Sequence, residues 1–499
     1  MILLDTLRKA VSNKIALTKS SSLKARSTRG AMVLGVGTVV ERGLRLVRNM
    51  ILARLVAPAE FGLVAVVFAA LEAFEAFADV GVRQSVIHNK RGDEAEYLNA
   101  AWWFQVLRGL VLFVVGFIVA PWIGSFYDNP YLPALIRVAF AATLFFGFLS
   151  PRVYILEKNI QFGKYVFLTQ GSGLLGTLVT LGIAFSGIRD ARALVAGYVA
   201  EAGFRCLLSF TLCPFLPSLK IDREYLGDIL TYARKMFGVP LLAVMAFQAD
   251  VLALGKIVSP EQVGMYWLAL QLSLQMNMIF SRVIYPILLP AFAEKQDNRH
   301  SIRSAAMKIT SYTTVIGVPT VTFLVVCAGP VLSIMYGSQY GKVAIPFGLL
   351  SAYALVRIQG SILSQIYFAV GKPYLQRRFV ILRIIILVCL LYPGIKLFGL
   401  VGAAAVVLLA NFIGLCMQVI WMNKLIGLRF GEYVLGWVPG ISLAIIGLAP
   451  QILLRTFCRE MLILNIGVGS LTCLVACIVG LFWLGHNGKT RRICLEKVV

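Results

Sequence analysis

Two short stretches of this sequence decide its fold: LVAPAEFGL at residues 55–63 and IVSPEQVGM at residues 257–265. The second begins 202 residues after the first, and the proline and glycine of one align without a gap with those of the other. Each stretch lies between two long apolar segments, where proline and glycine typically shape a turn. The repetition indicates that the chain contains one structural unit twice.

The composition indicates an integral membrane protein. Of the 499 residues, 59% are hydrophobic and 14% are charged, whereas soluble domains are about 45–50% apolar and about 25% charged. The net charge of +24 would suggest a nucleic-acid partner in a soluble protein. In a membrane protein it is typical of Lys and Arg retained in cytoplasmic loops. The nine cysteines form no CxxC pair and the three histidines no cluster, so no metal site is predicted.

Fourteen segments are apolar over the roughly 20 residues that a spanning helix needs. They occupy residues 30–54, 60–88, 98–122, 131–155, 163–187, 191–215, 227–250, 262–290, 303–328, 344–370, 376–397, 399–423, 432–454 and 461–485. With the amino terminus in the cytoplasm, the cytoplasmic loops and termini hold 29 Lys and Arg, and the loops on the far side of the membrane hold seven. This asymmetry predicts an even span count and two cytoplasmic termini. The loops are too short to contain a soluble catalytic domain.

A second, weaker repetition supports the first. FYDNPY at residues 126–131 resembles MYGSQY at residues 335–340, and each follows the third span of its half. Halves that begin six spans apart share their orientation, which predicts two lobes related by an axis along the membrane normal. The predicted all-α chain has a basic amphipathic segment at 1–29, a six-span lobe at 30–215, a cytoplasmic linker at 216–226, a second six-span lobe at 227–423, two extra spans at 432–485 and a basic cytoplasmic tail at 486–499.

Span 1 carries an unusual charged face. Glu41, Arg42, Arg45 and Arg48 fall on one side of a helix with 3.6 residues per turn. One Arg at the centre of a spanning helix costs about 2.5–3.5 kcal/mol, so this face cannot lie against lipid. It must face water, an acidic partner, or both.

Span 2 offers such a partner, because Glu72, Glu75, Asp79 and Arg83 share one of its faces. The short connection predicts that spans 1 and 2 are antiparallel neighbours. We expect a water-filled cavity, since charges at bilayer depth usually mark a pathway. The alternative is that the two helices only neutralise each other in a buried network.

Two local patterns in spans 5 and 6 have structural interpretations. GSGLLG at residues 171–176 matches a nucleotide-binding pattern, but it lies inside span 5, where small residues favour close helix packing. Glu201 and Arg205 in span 6 are four residues apart in the order that favours a local ion pair.

Five stretches carry a resemblance to a known family: ILARLVAPAEFGLVAV (51–66), FADVGVRQSVI (77–87), ADVLALGKIVSPEQVGMYWLA (249–269), YPILLPAFAE (285–294) and FAVGKPYLQR (368–377). The chain resembles the polysaccharide-exporter branch of the flippase superfamily that includes multidrug-and-toxin extruders and lipid II flippases, and within it the Wzx-type carriers. The resemblance implies a bacterial inner-membrane protein that moves an undecaprenyl-diphosphate-linked sugar repeat unit to the periplasmic leaflet. Its implied partners are that lipid, a polysaccharide polymerase and a chain-length regulator, with no nucleic acid.

The resemblance also bears on single residues. Lipid II flippases carry two first-span arginines six residues apart, and the pattern aligns Arg42 and Arg48 with them. The following position, often acidic in the family, is Asn49 here, and the second-span arginines are replaced by Glu75 and Ala76. These departures argue against lipid II and favour another anionic head group.

The sequence therefore predicts alternating access around a cationic cavity between the lobes, since guanidinium forks match phosphate oxygens. The predicted substrate-binding residues are Arg42, Arg45, Arg48, Arg282 and Arg357. The predicted ion-coupling or gating residues are Glu41, Glu72, Glu75, Asp79 and Asp250, with a proton or sodium as the coupling ion. No catalytic residue and no organic cofactor is predicted.

Four alternatives remain open at this point. A drug–cation antiporter of the same superfamily would need an acidic, aromatic cavity, and a lipid II flippase would need the missing second-span arginines. An intramembrane glycosyltransferase would need large periplasmic loops. A non-transporting partner of the polysaccharide machinery would tolerate neutralisation of all the cavity arginines.

Overall fold

The computed structural model describes residues 23–79, 81–159, 161–220, 222–236, 239–294, 298–457, 467 and 469–480. The regular elements in these ranges are all helices, which confirms the predicted all-α class. The predicted amphipathic segment at 1–29 lies outside the described residues up to residue 22, and the predicted tail at 486–499 lies outside them entirely.

The helices follow one another with short connections. Those of the first half are α1 (Leu23–Leu55), α2 (Pro58–Phe77), α3 (Val82–His88), α4 (Ala95–Phe126), α5 (Leu132–Gly147), α6 (Arg152–Lys158), α7 (Phe162–Phe185), α8 (Ala191–Leu212) and α9 (Arg223–Met236). Those of the second half are α10 (Val239–Ile257), α11 (Pro260–Ser273), α12 (Gln275–Val283), α13 (Tyr285–Ala293), α14 (Arg299–Val326), α15 (Ala328–Tyr336), a 3-10 helix (Ser338–Val343), α16 (Ala344–Ala369), α17 (Pro373–Ile426), α18 (Phe430–Leu435), α19 (Val438–Phe457) and α20 (Gly469–Gly480).

Several predicted spans differ in outline from these helices. Seven helices of the described residues are long and apolar enough to cross a membrane, or nine if the bent pairs α2–α3 and α5–α6 each cross once. The count of fourteen spans and the lobe boundaries stay predictions. Predicted spans 11 and 12 both lie within α17, which consists of two helical segments that meet at a sharp turn at Gly399, where φ is 56° and ψ is −132°. Glycine adopts this conformation because it has no Cβ to clash.

Predicted span 8 is divided into α11, α12 and α13. α11 begins at Pro260, where a missing backbone N–H is harmless, and Ser259 caps it by accepting a hydrogen bond from the Gln262 N–H. Pro286, the second residue of α13, has no N–H with which to continue the backbone ladder from α12. The segment therefore crosses the molecule in three short pieces.

The two copies of the repeated stretch touch each other, which confirms their structural equivalence. A Cβ atom placed on Gly62 would lie 1.9 Å from the Pro260 carbonyl oxygen, and one on Gly264 would lie 1.9 Å from the Pro58 carbonyl oxygen. The first turns of α2 and α11 thus pack backbone against backbone, in a reciprocal contact that only glycine permits. We call this contact, formed by Pro58, Gly62, Pro260 and Gly264, the glycine crossing.

The weaker repetition also has a structural counterpart. Asp128 and Gly337 occupy the same position in FYDNPY and MYGSQY, and both have a positive φ, of 52° and 118°. Each residue follows the end of a helix, α4 or α15. The two halves therefore share a positive φ at this position, with different values.

Contacts between the halves gather around the glycine crossing, at the end of the molecule that we predict to face the periplasm. Lys256 Nζ lies 2.6 Å from Asp128 Oδ2, and the Tyr127 hydroxyl donates to the Leu252 carbonyl oxygen at 3.1 Å. A continuous apolar core, which includes residues of both halves, fills the space beneath. The halves are thus joined firmly at this end.

Candidate functional site

The charged face of α1 is organised around Arg45. Its Nε donates to Glu41 Oε1 at 3.0 Å, one helical turn away, and its Nη2 donates to Glu201 Oε1 at 2.8 Å. The same oxygen of Glu201, on α8, accepts from Arg205 Nη2 at 2.8 Å. The predicted local pair in span 6 is confirmed, and its glutamate also holds a guanidinium of α1. Glu201 is buried, with 7% of its surface exposed. Its bonds to Arg45 and Arg205 are therefore charge-assisted hydrogen bonds shielded from solvent.

The prediction that spans 1 and 2 are neighbours is wrong. α1 packs along α7 and against α12 rather than along α2. Small residues favour this packing: a Cβ on Gly37 would lie 2.6 Å from the Gln170 side chain of α7, so the glycine leaves room for that side chain. Sequential helices are often adjacent, but here close packing with a later helix prevails.

The GSGLLG pattern serves this packing, as predicted. A Cβ on Gly176 would lie 2.6 Å from Glu201 Cβ and 2.9 Å from the Gly197 carbonyl oxygen. One on Gly173 would lie 3.4 Å from Arg45 Nη2. The glycines of α7 therefore leave room for the ion pairs that join α1 to α8.

The acidic face of span 2 does not supply the partners of Arg45, contrary to prediction. Glu72 accepts from Gln248 Nε2 at 2.5 Å, across to α10 of the second half. Asp79 accepts from the Gly81 backbone N–H at 3.0 Å. At Glu75 the backbone carbonyl oxygen accepts from Arg108 Nη2 at 3.4 Å. Of these carboxylates, Glu72 is the one placed at the junction of the halves.

Arg48 lines a small cavity between α1, α2, α7, α8 and α11, of about 60 Å³. Its Nε and Nη2 each lie 3.2 Å from Asn49 Oδ1. In the part of the chain that the structure describes, no carboxylate lies within salt-bridge distance of Arg48. The cavity also contains Arg45, Glu201, Tyr198 and Trp267. Arg48 is therefore the guanidinium of this cavity that is free to receive an anion.

A larger cavity of about 270 Å³ lies wholly within the second half, among α10, α12, α13, α16 and α17. Arg357 of α16 lines it, with its guanidinium carbon 3.9 Å from the ring centre of Phe247 and Nη1 3.2 Å from the Tyr353 hydroxyl oxygen. Arg383 of α17 lines it too, and its Nη1 donates to Asn411 Oδ1 at 2.8 Å. Sequence reasoning missed Arg383, although a lone arginine in an apolar span was a usable signal.

The other predicted residues whose side chains the structure describes fall outside both cavities. Asp250 of α10 is buried, where it accepts from the Tyr266 hydroxyl at 2.7 Å and from the Val251 N–H at 2.9 Å. Arg42 is half-buried on α1. α12, which carries Arg282, packs against α1, but the side chain of Arg282 lies outside the described residues.

Arg48 and Arg357 line separate cavities: Trp267 of α11 also lines the first, so that cavity is bordered by both halves, whereas the second is bordered by the second half. The single central cavity stays a prediction. Both cavities present guanidinium groups among helices, an arrangement that attracts anions. Among the described residues, no cluster of three or more His, Cys, Asp and Glu could hold a metal ion.

Comparison with known proteins places this geometry in context. A family model described as "Polysaccharide biosynthesis protein" matches residues 51–345. The "Lipopolysaccharide biosynthesis protein WzxC" of Escherichia coli (strain K12) is 23% identical over 84% of this chain and 85% of its own length. The "Succinoglycan biosynthesis transport protein ExoT" of Rhizobium meliloti (strain 1021) is 22% identical over 62% of each chain.

Solved structures share the fold. The structure titled "Lipid II flippase MurJ, inward closed conformation" superimposes with a TM-score of 0.70 at 15% sequence identity, covering 90% of this chain and 98% of its own. This likeness supports a two-lobe membrane fold, as the internal repeat predicts.

Proposed function

This chain belongs to the family described as polysaccharide biosynthesis proteins, and from that premise we propose that it carries a polyprenyl-diphosphate-linked sugar repeat unit across the bacterial inner membrane. Two of its relatives are named for lipopolysaccharide biosynthesis and for succinoglycan transport. The protein acts as a carrier that binds and releases its substrate without forming a covalent bond to it. The periplasmic machinery that polymerises the repeat unit is the partner that receives it.

The observation that carries this proposal is the position of Arg48. By the helical rise of about 1.5 Å per residue, it lies about 10 Å from the end of α1 at Leu55, which is inside the bilayer if α1 is the predicted span 1. A guanidinium there is costly unless water or an anion solvates it. It lines a cavity that also contains Glu201, but it forms no salt bridge with a carboxylate of the described ranges. A diphosphate is the anion that such a lipid carrier would bring to this depth.

Arg45 has a different role in this scheme. Its two glutamate partners hold it in the observed conformation. An arriving diphosphate competes with Glu201 for its guanidinium, and the exchange loosens the connection between α1 and α8. Binding of the substrate is thereby linked to a change in the packing of the first lobe, which is the requirement for alternating access.

The orientation follows the charge asymmetry, with both termini in the cytoplasm and the glycine crossing on the periplasmic side. In the observed conformation the lobes are joined at that side, so the substrate enters from the cytoplasmic leaflet while its polyprenyl tail stays in lipid. Glu72, which bonds to Gln248 of the other half, and Asp250, which bonds to Tyr266, are the best placed of the predicted coupling residues. Either a proton or sodium is the coupling ion.

The test is export of polymer in cells that depend on this protein. Arg48→Ala is expected to reduce exported polymer by about tenfold or more, since a hydrogen bond to a charged group contributes about 1.5–3 kcal/mol. Arg192→Ala is the matched control, because Arg192 is 74% exposed and pairs with Asp190 at the surface. Equal amounts of each variant in the inner membrane are verified by immunoblot. Normal export by Arg48→Ala would overturn the proposal.

A further inference from the structure

We propose that the cavity of the second half is a separate subsite for one sugar residue that bears a carboxylate, with Arg357 and Arg383 as the groups that hold this carboxylate. The inference rests on the proposed function and deepens it, because it divides one substrate between two cavities. The diphosphate lies near Arg48 in the first lobe, and an acidic sugar of the glycan lies in the second.

The charge of the cavity is the first argument. Its described lining contains two guanidinium groups and no Asp or Glu. Arg357 is occupied by the Phe247 ring and a tyrosine hydroxyl, and Arg383 by the side-chain oxygen of Asn411. These partners are neutral, so both positive charges of the lining lack a counter-ion within it. Like charges that share a sheltered cavity repel each other, and an anion between them offsets this repulsion.

Unpartnered polar atoms are the second argument. Asn277 and Gln418 line the cavity with 5% and 4% of their surfaces exposed. The Asn277 Nδ2 and Gln418 Oε1 atoms are buried without a hydrogen-bond partner, as is Arg383 Nε. Each buried polar atom that is left without a hydrogen bond costs about 1–3 kcal/mol. One is an acceptor and two are donors, so a ligand with hydroxyl groups satisfies all three.

The kind of lining distinguishes a sugar from a simple phosphate. Amides and hydroxyls, which suit neutral hydroxyl groups, surround the two cations: Asn277, Ser281, Ser361, Ser364, Gln376 and Gln418. The guanidinium fork matches a planar carboxylate in two parallel hydrogen bonds. The volume of about 270 Å³ is near the lower end of the roughly 300–1,000 Å³ of ligand pockets, which fits one sugar residue.

The depth of Arg383 supports a binding role. It lies ten residues into α17, or about 15 Å from Pro373 by the helical rise. Gly414 of the returning part of α17 gives it space, because a Cβ there would lie 3.0 Å from Arg383 Cγ. The Arg383 side chain is thus packed between the two segments of α17. A long charged side chain that did not pack in this way would extend to the membrane–water interface.

The test measures binding to the purified full chain in detergent by thermal unfolding, with D-glucuronate, D-glucose and inorganic pyrophosphate at equal ionic strength. Glucuronate is expected to stabilise the wild type more than glucose does. Arg383→Gln and Arg357→Gln are expected to weaken glucuronate binding by about tenfold or more and to leave pyrophosphate binding within about twofold. Arg48→Gln is expected to do the reverse. Arg383→Lys, which keeps the charge but loses the fork, is expected to show an intermediate loss.

Each contrary result has a distinct meaning. Stabilisation of the wild type by pyrophosphate alone, or equal effects of glucose and glucuronate, would overturn the acidic-sugar subsite. If Arg48→Gln and Arg383→Gln each lose binding of both glucuronate and pyrophosphate, the two ligands share one anion site. This result would also overturn the separate subsite. If the ligand-free Arg→Gln variants unfold at a lower temperature than the wild type, Arg383→Lys is the deciding variant. Glucuronate binding by Arg383→Lys that equals wild-type binding would refute the role of the guanidinium fork. Normal polymer export by Arg48→Ala with intact glucuronate selectivity would refute the proposed function and leave the subsite standing.

Discussion

Replacing Gly62 by alanine tests the glycine crossing directly. The new Cβ would lie 1.9 Å from the Pro260 carbonyl oxygen, whereas carbon–oxygen contacts between helices are about 3.3 Å or longer. The helices must therefore separate by roughly 1.4 Å. Both atoms belong to rigid backbone, so no side-chain rotation relieves the overlap. Overpacking of this kind costs about 1–3 kcal/mol.

That cost applies only to the conformation in which the lobes touch at this end. A difference of about 1–3 kcal/mol changes a two-state equilibrium by about 5–150-fold. We therefore expect Gly62→Ala to populate a conformation with separated periplasmic ends. Gly264→Ala makes the same contact from the other side and should have the same effect. Because one separation of the helices relieves both overlaps, the shift in conformational free energy in the double variant should be smaller than the sum of the shifts in the two single variants.

Spin labels can measure this separation in a cysteine-free background. Tyr131 and Ile345 lie at the same end in opposite halves and are 72% and 67% exposed, so labelled cysteines at these positions disturb little packing. Pulsed electron–electron resonance should show one short distance in the parent and an added longer distance in Gly62→Ala. Gly182→Ala is the control, because a Cβ there meets nothing within 4 Å. A distance distribution for Gly62→Ala that matches the parent and the control would refute the reasoning.

Two further predictions concern stability, measured as the free energy of unfolding in detergent. Glu201→Gln removes the carboxylate that two guanidinium groups share and should cost about 3 kcal/mol; unchanged stability would mean that the ion pairs contribute nothing. Gly399→Ala should cost about 1–3 kcal/mol, since alanine is strained at a φ of 56° and ψ of −132°. Gly447→Ala, where a Cβ meets nothing within 4 Å, should cost nothing, and equal values for the two variants would contradict the strain argument.

Local features of the chain could be predicted well from its sequence. The repeat was visible because proline and glycine have fixed conformational roles, and the positive φ of Asp128 and Gly337 repeats with it. The i, i+4 pair of Glu201 and Arg205 needed only helical geometry. These predictions depend on residues that are near one another along the chain.

Contacts between distant helices could not be predicted in the same way. Sequential order suggested span 2 as the partner of Arg45, but the partner is Glu201, because Gly37 and Gly176 let α1 and α8 approach α7. Arg383 could have been predicted as a lone arginine in an apolar span, but its place in one cavity with Asn277 and Gln418 could not, because no sequence spacing connects these residues. The division into two cavities depends on such packing as well.

The glycine crossing has the form of an isologous interface within a single chain. The same surface patch occurs twice and pairs with itself, as in a two-fold symmetric dimer. A polypeptide of one half would display this self-complementary patch and could associate with a second copy of itself in the same orientation. The present protein has the architecture of such a homodimer fused end to end, and the fusion lets one partner keep the ion pairs of Arg45 while the other acquires a different set of arginines.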